Sequence, residues 1–202
     1  MTSVLDAQLS LSAEEKFRAH FYLLLSRLLG APADAELLGL MQELEGDDSA
    51  IGEAITDLKK LAANISVDQS AEEYEAIFIG VTQGELTPFK SYYLTGFLNE
   101  KPLAELRQHM DELGIEKSED AAEPEDHIAF LCEMMHGLIV GSFGKPLALP
   151  EQYRFFENHI ANWAPKFFED LETTESARLY APIGRIGKLF MEVESEAFLI
   201  AA

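Results

Sequence analysis

Glu123-Pro124-Glu125-Asp126-His127-Ile128 opens the stretch that decides the fold of this chain, an apolar run that continues to Val140. Projected at 100° per residue, Phe130, Met134, His127, Leu138, Leu131, Met135, Ile128, Ile139 and Cys132 share one broad arc, with Asp126 and Glu133 outside it. An arc that wide predicts a central, mostly buried helix. Proline at a first helical turn loses no hydrogen bond, so the helix is expected to begin at Pro124, with Glu125 and Asp126 at its positive end. His127 is the odd member, because a cation is disfavoured there. It reads as a neutral imidazole engaged in a hydrogen bond. On these residues alone it is either a satisfied core histidine or a group that contacts a ligand.

The rest of the chain repeats the helical period. Ser12 and Glu15 form a capping box ahead of Phe17, Phe21, Leu24, Leu25 and Leu28, and Gly30-Ala31-Pro32 stops that helix. Further helices are expected over 33–45 and 49–63. A capping box at Ser70 and Glu73 is expected to open a short helix through Tyr74, Ile77 and Phe78. Gly80 to Pro88 reads as a loop, Ser91 to Leu98 as a short aromatic helix, and Pro102 as an early residue of a helix that Gly114 ends. A helix from near Pro150 carries Tyr153, Phe156, Ile160 and Trp163 and is expected to be interrupted at Pro165; a last one covers 175–199, with Pro182 bending it or marking its start. No sustained alternation of period two appears. The chain reads as all-α, a single globular domain over 1–202 of roughly nine or ten helices, its two subregions joined by an acidic hinge loop at 114–124.

Composition narrows the function. The chain has 202 residues, 48% of them hydrophobic, and a net charge of −21. Nucleic-acid binders need a basic footprint, so that partner is excluded, and a basic peptide is favoured instead. With one cysteine, Cys132, no internal disulfide forms, which fits a cytoplasmic protein. Met1 to Ser10 lacks the pattern of a signal peptide, and no apolar run reaches the roughly 20 residues of a membrane helix.

Chemistry-bearing patterns are sparse. Asp126, His127 and His136 with Cys132 suggest a metal-dependent hydrolase, but the spacing matches no paired zinc motif, and no metal or other cofactor is expected. Cys132 falls mid-helix, and neither a nucleophile elbow nor a phosphate loop is present. The Gly80–Pro88 loop and the following Phe89, Ser91, Tyr92 and Tyr93 read either as plain hydrophobic docking or as a groove for an apolar, basic peptide.

Three elements resemble the TorD/DmsD family of molybdoenzyme chaperones, relatives of the NarJ group. They are Tyr74-Glu75-Ala76-Ile77-Phe78-Ile79-Gly80, Pro88-x-x-Ser91-Tyr92-Tyr93 and Glu123-Pro124-Glu125-Asp126-His127. Phe156-x-x-His159-x-x-x-Trp163 is similar to a fourth. The resemblance implies a non-catalytic, cytoplasmic, all-helical chaperone. Its ligand would be the twin-arginine signal peptide of a molybdopterin oxidoreductase, held back from export until the cofactor is inserted. The implied signal-binding residues are Glu123, Pro124, Asp126, His127, Phe78, Pro88, Ser91 and Tyr92. The run from Ser91 to Glu100 is similar to members that serve formate dehydrogenases, and the family implies a monomer or a domain-swapped dimer. Phe89 stands where many relatives carry tryptophan.

Overall fold

The computed structural model describes residues 11–118 and 122–201. The expectations for Met1 to Ser10 therefore lie outside the described residues, as does the centre of the proposed hinge. Ten α-helices make up the described chain, with no strand longer than a single bridge among those residues. Helix α1, Ala13–Gly30, starts at the expected box: the Ser12 hydroxyl accepts from the Glu15 N–H and the Glu15 carboxylate accepts from the Ser12 N–H. Helices α2, Ala35–Glu43, and α3, Ala50–Ala62, are capped by Asp34 and Ser49, so both are slightly shorter than expected.

Helix α4, Val67–Tyr74, corrects the next expectation. Its box is Ser66 with Gln69, one turn earlier than Ser70 with Glu73. Both pairs fit the capping pattern, and tertiary structure decides between them. The Ser70 side chain is buried inside the helix, and the Glu73 carboxylate reaches across the chain to accept from the N–H groups of Arg178 and Tyr180. It thereby caps the final helix. A π-helical turn, Glu75–Ile79, extends α4.

Helix α5 is Lys90–Thr95, shorter than expected because Gly96 adopts a left-handed conformation and ends it. Helix α6, Lys101–Leu113, has Pro102 in its first turn and stops at Gly114. Helix α7 is Ile128–Val140, and α8 is Leu149–Phe156, followed by a second π-helical turn, Glu157–Ala161. Pro165 interrupts the chain as expected by standing in the first turn of a new helix, α9, Ala164–Thr173. The last helix, α10, starts at Tyr180 rather than 175 and runs to Ala201, with Pro182 near its start.

Helix α7 is the central element. Ile128, Leu131, Cys132, Met135 and Ile139 are fully buried, and burial raises the Cys132 thiol well above its usual pKa. Helix α1 lies along α7, and α10 packs on α9 and α3. The α9–α10 contact is close because of two glycines. A Cβ on Gly184 would come within 2.4 Å of the Glu172 nitrogen, and one on Gly187 within 2.2 Å of the Phe168 ring. A buried polar network crosses the core. Arg18 grips Glu194 through Nε at 2.6 Å and a terminal nitrogen at 2.9 Å, while Tyr22 and Gln152 complete the set. Among the described residues no helix is long and apolar enough to cross a membrane.

Candidate functional site

Two of the sequence elements meet through a single antiparallel bridge. Phe89 and His127 are both extended, so their segments run side by side ahead of α5 and α7. The Ile128 N–H donates to the Pro88 carbonyl at 2.9 Å, and the Lys90 N–H donates to the Asp126 carbonyl at 3.0 Å. The Phe89 and His127 rings meet edge to face at 4.9 Å. Proline, which has no N–H, contributes to the pairing through its carbonyl alone.

This pairing corrects the expected start of α7. Pro124 to His127 form a turn, closed by the His127 N–H donating to the Pro124 carbonyl at 3.2 Å, and the helix begins at Ile128. His127 is its cap: Nδ1 accepts from the Ala129 N–H at 3.1 Å, which puts the ring proton on Nε2. The imidazole is neutral as expected, since burial pushes its pKa down to about 4.

Asp126 is the larger surprise. The helical projection puts it outside the buried arc, yet it is 0% exposed. Its Oδ2 accepts from the Ser91 N–H at 2.7 Å, at the start of α5. The projection misplaced it because Asp126 is not helical. Its Oδ1 and the Ser91 hydroxyl are both buried without a hydrogen-bond partner among the described residues. Glu125, in the variable position of the motif, forms a two-oxygen ion pair with Arg107 of α6. Burial alone would raise the Glu125 carboxyl, but the Arg107 hydrogen bonds and charge hold it below its ordinary value.

The other implied residues divide by exposure. Glu123 is exposed, Pro124 and Tyr92 are half-buried, and Pro88 is buried beside the bridge. Phe78 belongs to a different cluster, with ring contacts to Tyr74 at 4.9 Å and Tyr180 at 5.5 Å. It is not brought against Phe89 or His127. The loop after it folds back instead, the Leu86 N–H donating to the Ile77 carbonyl.

Behind the bridge runs a buried nitrogen chain that sequence reading missed. Lys90 Nζ lies 3.0 Å from His159 Nδ1, His159 Nε2 lies 2.8 Å from His109 Nδ1, and an Arg154 nitrogen lies 3.3 Å from His109 Nε2. Each neutral imidazole has one donor and one acceptor, so the bonds must all point the same way. Two cationic ends cannot both donate; Lys90 accepts as a neutral amine or the exposed Arg154 lets go. Burial lowers the Lys90 pKa, and burial with the Lys90 charge pushes His159 down to about 3. A lysine inside an aromatic segment and His109 on the apolar face of α6 were the available signals.

The hydrolase alternative fails on geometry. Asp126 is bonded to Ser91, His127 to Ala129, and His136 Nδ1 lies 2.9 Å from the Ala19 carbonyl. No three such side chains among the described residues gather as a metal-binding group.

Comparison with known proteins supplies the family. The profile described as nitrate reductase delta subunit matches residues 44–169, more than half of the chain and all of the bridged segments. The chain belongs to the nitrate reductase delta subunit family. The resemblance to the TorD and NarJ chaperones is thereby borne out. The chain is 25% identical to the chaperone protein TorD of Vibrio parahaemolyticus over 64% of each protein. It is 26% identical to TorD of Photobacterium profundum, over 81% of this chain and 78% of that one. A crystal structure of an Archaeoglobus fulgidus protein assigned to redox enzyme maturation shares the fold, with a TM-score of 0.59. That match is 22% identical and covers 87% of this chain and 93% of the other. These relatives are chaperones and a maturation protein, and this member of the nitrate reductase delta subunit family is, like them, not an enzyme.

Proposed function

We propose that this protein is a cytoplasmic maturation chaperone that binds the twin-arginine signal peptide of a molybdopterin oxidoreductase and delays export until the cofactor is in place. The observation that carries the reading is the bridge between Phe89 and His127, which joins the two family elements into one rigid platform. Exposed Glu123 and half-buried Tyr92 and Pro124 are the members a peptide can touch. Asp126, Ser91, Pro88 and His127 hold them in place, and Phe78 supports the neighbouring loop. A net charge of −21 favours a ligand carrying adjacent arginines. The client class follows the family, with a formate dehydrogenase precursor as its member, and segment 114–124 serves as the hinge if the chain exchanges helices in a dimer.

Calorimetric titration with a twin-arginine peptide and its twin-lysine variant tests the reading. The arginine peptide binds more tightly, because guanidinium pairs with carboxylates through two parallel bonds. Glu123→Lys and Tyr92→Ala each weaken it without loss of helical signal. Equal affinity for both peptides, or unchanged affinity in both variants, would sink the proposal.

A further inference from the structure

A second surface lies on the opposite side of α1. Around that helix, Ala19, Tyr22, Leu25 and Leu29 are buried, whereas Phe17, His20, Leu24 and Arg27 project the other way. That outer face, with α2 and α3, encloses a groove of about 540 Å³. Its walls are largely aliphatic and aromatic, and three of them stand open to solvent: Phe17 at 53%, Leu23 at 37% and Leu40 at 39%. Apolar side chains left exposed together in a concave surface with a polar rim are the arrangement that protein–protein contacts use. None of the residues lining the groove belongs to the bridged segments.

The rim indicates what fits. Glu43 and Glu45 line the groove and form no ion pair among the described residues, whereas the one arginine there, Arg27, is tied to Glu36. The stretch of α1 from Phe17 to Arg27 is about 15 Å long at 1.5 Å per residue, the length of roughly three helical turns. We infer that this groove docks an amphipathic helix of a partner protein, its apolar face against Phe17 and Leu40 and its basic residues against Glu43 and Glu45. This is the helix-in-groove mode of recognition. It is independent of the twin-arginine reading, since the groove shares no lining residue with the bridged segments.

The probe is a synthetic amphipathic helix of about 14 residues, leucines on one face and lysines flanking them, with no arginine. Its binding is followed by fluorescence anisotropy. Leu40→Glu is expected to weaken the probe at least about tenfold, and Glu43→Lys with Glu45→Lys to weaken it by a similar factor that shrinks with added salt. All three positions are exposed, so the variants fold, and each keeps wild-type affinity for the twin-arginine peptide. Probe affinity unchanged in these variants overturns the inference. So does full competition between probe and twin-arginine peptide, since the two would then share one site.

Discussion

Replacing Asp126 separates a residue that positions the site from one that touches the ligand. Its Oδ2 accepts from the Ser91 N–H at 2.7 Å, and both residues are 0% exposed. Asp126→Ala removes a charged acceptor and strands a buried N–H, which together cost about 2–3 kcal/mol. For a chain of this length each kcal/mol lowers the midpoint by roughly 2–4 °C, so the expected drop is about 4–12 °C. Asp126→Asn behaves differently. Its amide oxygen still accepts from the Ser91 N–H, so no buried donor is stranded. Its expected cost is under about 1.5 kcal/mol. Chemical denaturation measures both, and calorimetry with the twin-arginine peptide gives the binding side. Peptide affinity is expected to fall with the stability loss, strongly in Asp126→Ala and weakly in Asp126→Asn. A fully stable Asp126→Ala that no longer binds would refute the reasoning, because it would make Asp126 a direct contact.

Two further predictions concern the interior. His127 and His159 have folded-state pKa values near 4 and 3, below the ordinary 6.5, so the unfolded chain takes up their protons first. Their contribution is complete above pH 6.5 and is lost as pH falls toward 4, at roughly 1.4 kcal/mol per pH unit for each proton. His127→Gln should flatten that slope relative to the wild type in denaturation series across the window, and an unchanged slope would contradict the burial argument. Glu194→Ala leaves the Arg18 charge buried without its carboxylate and should cost about 3–5 kcal/mol, whereas Arg18→Met with Glu194→Leu recovers only part of it, because the Tyr22 hydroxyl and the Gln152 amide oxygen lose their partners; thermal unfolding compares the two.

The amino-acid sequence alone determined the helical class, the central place of the run ending at Val140, the breaks at Gly30, Gly114 and Pro165, and the motifs that carry the family. These are local matters of period, capping and backbone freedom, so they are written within a few residues of where they act. It also determined that His127 is neutral, because a helix start and an apolar arc both oppose its charge. Tertiary structure alone decided which of two equivalent capping boxes opens α4, since Glu73 is drawn away to the N–H groups of Arg178 and Tyr180. It alone buried Asp126, by pairing its segment with Phe89 more than thirty residues earlier. It alone joined Lys90, His159 and His109 into one chain. Hydrogen bonds between distant segments leave no periodic trace in sequence, and a helical projection fails for residues that are not helical. The acid and imidazole that first suggested chemistry are thus the fixed interior of a platform, and the residues that meet a partner are the exposed ones around it.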